Sequence, residues 1–214
     1  MGFFDTFLDW LFHPYEELFG RSEDCTRDNI CAGLRSLGID AQMEERGQPE
    51  EEIRPYGHSR FGVSLGLIDI PEGPIHWVNV RKMVIFWGRM GGEPLGGPSS
   101  AGMGFDRYAD YAVPDPRLSP SFHTIRMTSV LARTSPSVDE VVDLHWEGND
   151  LGLGIIDRLN SDEFIKGEIM RSGDNVEIDA HPDDGCWIIS TEAKVPSQSL
   201  WRCYEAIAQH LLAE

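Results

Sequence analysis

Lysine is nearly missing from this chain: Lys82, Lys166 and Lys194 are the only three in 214 residues. The arginines are scattered rather than clustered, and 36 acids against 18 basic residues leave a formal charge of −18. Nucleic-acid binding needs a basic stripe that displaces counterions from phosphate. No such stripe is present, so no nucleic acid is expected as a partner. The same surplus of acid works against adhesion to anionic lipid. Long apolar runs are missing too. The longest stretch without Asp, Glu, Lys or Arg, Pro94–Phe105, is Gly/Pro-rich and far short of the roughly 20 apolar residues that span a bilayer. The first residues carry acids where a secretory leader carries basic residues, so a cytoplasmic location is expected.

Cysteine is sparse. Cys25, Cys31, Cys186 and Cys203 in a chain this long read as reduced, mostly structural thiols rather than a disulfide framework. Cys25 and Cys31 are too far apart for a CxxC zinc or redox motif. The familiar phosphate cradles are missing as well. Residues 88–104 (GRMGGEPLGGPSSAGMG) are Gly-rich, but no lysine stands where a P-loop needs one, and no helical pattern follows. The segment reads as a loop. No G-x-S-x-G elbow marks a hydrolytic serine.

What is present is an ordinary folded composition, 41% hydrophobic and 10% aromatic, in a length that suits one globular unit. The most unusual segment is Met1–Gly20. It holds Phe3, Phe4, Phe7, Trp10, Phe12, Tyr15 and Phe19. Phe4, Phe7, Leu8, Leu11, Tyr15, Leu18 and Phe19 recur at helical spacing, with Asp5, Asp9, His13, Glu16 and Glu17 on the other side. Pro14 breaks or kinks this helix, or opens a second short one. A second helix is expected over residues 24–37, capped by Asp24 or Ser22, with Ile30, Leu34 and Leu37 on one face and Gly38 as its stop. Ile39–Met43 fits a short edge strand. Residues 1–43 thus form an N-terminal helical segment. Residues 44–57, acidic and broken by Pro, form a connector to an α+β domain over 58–214.

From Gly62 the hydrophobic period shortens to that of strands. Val63–Ile70 and Ile75–Ile85 flank the turn PEGP; strands follow at Tyr108–Val113, His123–Leu131 and Glu140–Trp146. Residues 151–171 suggest two short helices, the second capped by Ser161. Val176–Ala180 and Cys186–Thr191 flank HPDDG, a second hairpin. Ser197 caps a closing amphipathic helix whose stripe is Leu200, Trp201, Tyr204, Ile207, Ala208 and Leu211. Consecutive hairpins with helices near the chain ends predict an α+β fold: a mainly antiparallel sheet with N-terminal helices and a C-terminal helix packed on one face.

Two functional readings follow. In the first, the chain is a non-catalytic accessory or protein-binding domain. Its N-terminal aromatic helix, which could also pack on its own domain as ordinary core, then docks on a protein partner or a second copy through Phe3, Phe4, Phe7, Trp10, Leu11 and Phe12. Each buried anchor contributes roughly 1.5–3 kcal/mol before ordering costs. An acidic polar face argues against a role for this helix in peripheral membrane contact, because interfacial helices favour Lys and Arg. In the second reading, the chain is a metal-dependent, hydrolase-like enzyme. Period two puts Asp143, His145 and Glu147 on one face of their strand, and Glu177, Asp179 and His181 on one face of theirs. If the strands were neighbours, Asp143, His145, Asp179 and His181 could hold Zn²⁺ or a hard divalent ion that activates water. Alternation on a half-solvated antiparallel sheet explains the same pattern without metal, with Trp146 and Ile178 inward and the acids solvated. In that case Arg126 offsets part of their repulsion across strands. The His-Pro-Asp-Asp-Gly-Cys run at 181–186 reads first as a turn.

Overall fold

The computed structural model describes residues 25–53, 62–87, 102–118, 125–135 and 138–213. The aromatic segment 3–19, the caps Ser22 and Asp24, and residues 88–101 of the Gly-rich stretch lie outside the described residues.

Helix α1 spans Thr26–Ser36. It exists because Ile30, Cys31 and Leu34 fall on one face, and all three are buried. Gly38, at φ +84°, takes the left-handed conformation that ends it. The chain then forms the two-residue strand β1, Gln42–Met43. The connector that follows is not featureless. Residues Pro49–Glu52 make a 3-10 turn. The buried Glu51 carboxylate accepts from the amides of Gly47 and Gln48 and from the Arg46 guanidinium. Burial opposes its ionisation, yet these bonds hold its carboxyl below the usual range.

Seven more strands complete the sheet: β2 Gly62–Asp69, β3 Trp77–Trp87, β4 Gly102–Pro114, β5 Arg126–Ser135, β6 Val138–Asn149, β7 Glu177–His181 and β8 Cys186–Glu192. All neighbours run antiparallel, in the order β1-β2-β3-β4-β8-β7-β5-β6. The predicted hairpins are present. The long-range step is the insertion of the β7–β8 hairpin between β4 and β5, which joins the early meander to the β5–β6 hairpin.

Helices α2 (Ile155–Ser161) and α3 (Glu163–Ser172) carry the chain from β6 to β7, and α4 (Gln198–Leu212) follows β8. Sequence reasoning expected Ser161 to cap α3. Asp162 does so instead, accepting from the amides of Phe164 and Ile165, while Ser161 returns its hydroxyl to the Asp157 carbonyl inside α2. An ionised carboxylate is the better acceptor at a helix N-terminus, where the dipole is positive. Ser197 caps α4 as expected.

The helices share one sheet face. Val78, Val80, Tyr111, Ile178 and Ile189 point into them and meet Trp201, Tyr204, Ile207 and Leu211 of α4 in one continuous core. Tyr111 stacks on Tyr204 with ring centroids 4.6 Å apart and meets the edge of Trp201 at 6.2 Å. Ile30, Leu34 and Ala41 join the same core, so α1 packs as part of this unit. The architecture is α+β, and among the described residues it holds four α-helices.

Candidate functional site

The helix-covered face is apolar; the chemistry lies on the other face. Residues directly opposite in paired strands share a face, so the register collects Asn79, Asp110, Ser190, Glu177, Thr128 and Glu147 into one row across five strand boundaries. Arg81 and Asp179 belong to the same face, two residues along from members of that row, and His181 lies two residues beyond Asp179.

In the middle of the sheet this face is a buried polar network. Asp110 is the hub. It accepts from Arg81 Nε at one oxygen and from Ser190 Oγ at the other, 2.7 Å away. Arg81 is 1% exposed and Asp110 is fully buried. Asn79 receives Ser64 Oγ at 2.7 Å and donates its amide to the Glu51 carbonyl at 3.1 Å, which ties the connector to this face. Beside it lies a small apolar cluster of Ala112, Cys186 and Ile188, with Ile53 and Trp77 against it.

The four candidate metal ligands share this face, but the structure does not bring them together. β5 lies between β6 and β7, so the adjacency that the metal reading needed is not there. Asp179 stands opposite Arg126 on β5, whereas His145 stands opposite Val130 and Asp143 opposite Ala132. Val130 is four residues beyond Arg126 along β5, which is roughly 13 Å at the rise of a strand, and His181 lies further still in the opposite direction. Among the described residues no group of three His, Cys, Asp or Glu side chains is placed to hold a metal ion.

Their surroundings differ as well. Asp143, His145 and Glu147 look into water, as expected for a half-solvated sheet. Lys166 reaches Asp143 at 3.5 Å, and His145 lies 3.6 Å from Glu147. A bond from the Leu144 amide, assisted by Lys166, lowers the Asp143 carboxyl. The expectation of solvated acids fails on β7, where Asp179 is fully buried and His181 is 5% exposed. β6 is the outermost strand, and β7 is interior. Arg126 does make the expected cross-strand pair, with Glu177 at 3.0 Å and Asp179 at 3.6 Å.

Burial pushes the His181 imidazole below its ordinary value, against the pull of Asp184 at 3.7 Å. Opposite it across the strands, burial, with Asp184 adding, pushes the Cys186 thiol up to about 12. Cys203 under α4 is likewise pushed up to about 12, chiefly by burial. Neither thiol is a nucleophile near neutral pH, because thiolate is the reactive form.

A further polar centre binds α4 to the sheet. Asp115 accepts both arms of Arg117, at 2.8 and 2.9 Å, and Trp187 Nε1 at 3.0 Å. Burial opposes ionisation there, but these bonds hold the carboxyl low. Arg117 also donates to the Leu211 carbonyl at the end of α4. A cavity of about 240 Å³ opens between α3, residues 194–197 and the start of α4. Its two cations are already matched by buried acids, Arg171 by Glu168 and Lys194 by Asp174.

Sequence reasoning missed the Arg81–Asp110–Ser190 hub. A signal existed in Val78-Asn79-Val80-Arg81, where alternation puts Asn79 and Arg81 opposite two valines. Nothing in the alternation told that this polar side would be buried. Comparison with known proteins finds no counterpart: no family model, no curated protein and no solved structure matches this chain.

Proposed function

We propose that the chain is a non-catalytic accessory domain that binds a protein partner, or a second copy of itself, through the apolar face of its N-terminal segment. One observation carries most of this reading: among the described residues, the buried acids and thiols are engaged in holding the fold. Asp110 is spent on Arg81 and Ser190, and Asp115 on Arg117 and Trp187. Asp162 is spent on α3 and on His210, at 2.9 Å. Two buried thiols are kept protonated by burial. The candidate ligand set is divided by β5. What the sequence offers beyond this is apolar surface: Phe3, Phe4, Phe7, Trp10, Leu11 and Phe12 at helical spacing. A large apolar stripe that its own domain leaves uncovered docks on a partner or a second copy.

The test uses the full chain with Phe4→Ser, Phe7→Ser and Leu11→Ser together. Sedimentation velocity and retention on a hydrophobic-interaction column are compared with the unaltered protein, alongside a thermal melt. An unchanged melt with loss of association and of retention is the expected result. A melt lowered by many degrees would mean that the stripe is core, and the docking reading would fall.

A further inference from the structure

The long outer edge of the sheet is β6, and among the described residues no strand lies beyond it. An open edge of this length is a template for another strand, because its outward N–H and C=O groups want partners. Which groups point outward follows from the ladder. Ser129, opposite Trp146, turns its amide away from β6 to the Val176 carbonyl. The two are therefore a non-hydrogen-bonded pair, and Trp146 turns its amide and carbonyl to the outer edge.

Both groups are taken by one side chain. The Trp146 amide donates to Asn160 Oδ1 at 2.7 Å, and Asn160 Nδ2 donates to the Trp146 carbonyl at 3.1 Å. A carboxamide presents one acceptor and one donor side by side, as a peptide unit of a neighbouring strand does. Two residues along, the outward Leu144 amide donates to the Asp143 carboxylate at 2.8 Å. Asn160 belongs to α2, which the Asp150 carboxylate caps through the Ile156 amide. The opposite edge is closed by similar means. Arg46 donates to the Ser64 carbonyl of β2, and Gly66 forms a bulge at φ +117° in space where Arg27 and Arg46 would meet a side chain.

We propose that Asn160 is a strand-mimicking latch that closes the β6 edge and keeps it from pairing with a further strand. The exposed Asp143 and Glu147 oppose the same pairing, since two copies would set like charges on one face. Latch and charges therefore act together to keep this edge unpaired.

The experiment is Asn160→Ala in the full chain, read by amide hydrogen exchange at Trp146 and by sedimentation and thioflavin fluorescence over a range of concentrations. Ser197→Ala, which removes the cap of α4, serves as a control for destabilisation. Asn160→Ala should speed exchange at Trp146 about tenfold or more, the factor that matches loss of one ordinary hydrogen bond. It should also give concentration-dependent, sheet-rich association that Ser197→Ala does not show. Equal association in both variants would mean general loosening and overturn the proposal. Faster exchange without association would overturn it too. Should Asn160→Ala fail to fold, Asn160→Asp carries the same test. It keeps the acceptor for the Trp146 amide, loses the donor to the carbonyl, and should associate more weakly than the alanine variant was expected to but above the unaltered chain. No association above the unaltered chain would overturn the latch.

Discussion

Replacing Asp110 by Ala attacks the hub of the buried polar face. The variant leaves Arg81, 1% exposed, without the carboxylate that faces it, and leaves Ser190 without its acceptor. Removing one member of a buried ion pair typically costs about 3–5 kcal/mol, because the remaining charge stays desolvated. Ser190→Ala removes only the hydroxyl and leaves the ion pair; its expected cost is about 1.5 kcal/mol, between neutral and charge-assisted hydrogen bonds. Asp110→Asn keeps the shape but removes the charge, so most of the larger loss should remain. Total stabilities of domains are about 5–15 kcal/mol, so Asp110→Ala is severe but measurable. For a chain of this size each kcal/mol lowers Tm by roughly 2–4 °C, which gives a drop of roughly 6–20 °C. The assay is urea unfolding of all three variants, with constant m as the condition for comparing midpoints. If Asp110→Ala loses no more than Ser190→Ala, Asp110 serves as one more hydrogen-bond acceptor and the desolvated-pair account is wrong.

Two further outcomes follow from burial. His181 titrates from 6.5 in the unfolded chain and lower in the fold. Below pH 6.5 the unfolded chain therefore takes up a proton that the folded chain refuses, and stability drops as pH falls through that window. His181→Gln should remove this part of the loss, seen as a smaller change in urea midpoint between about pH 7.5 and about pH 5.5; equal changes in variant and parent would refute it. The later, acid-side loss stays, because the low-lying carboxyls of Asp115 and Asp162 lose stability only as pH falls toward and below their ordinary value of 3.8. Thiol labelling checks the cysteines. Cys25 is exposed, whereas Cys31, Cys186 and Cys203 are buried with raised pKa. Only Cys25 should react quickly with an aromatic disulfide at about pH 8, and the other three after unfolding.

Period two and period 3.6 are local quantities, and the elements they mark are where the sequence placed them. The stripe of α4 is buried as its spacing predicts, and PEGP and HPDDG both join paired strands. Trp146 and Ile178 face the core because inward and outward positions alternate whatever the neighbours are. Strand ends were less legible. β4 begins at Gly102, inside the Gly-rich stretch, because pairing with β3 overrides the weak strand propensity of glycine.

By itself, then, the sequence determined the α+β class, the hairpins, the helix caps at Gly38 and Ser197, and which side of each strand is polar. Each of these depends on residues within a few positions of one another. Strand order was decided only in three dimensions. The β7–β8 hairpin enters between β4 and β5 through contacts far apart in the chain, and that step separates His145 from His181 and brings Ser190 to Asp110. Burial of the polar side was decided there as well. The same alternation leaves Asp143 in water on an outer strand and Asp179 dry on an inner one, since accessibility depends on what the assembled fold places over a face and not on the strand's own pattern.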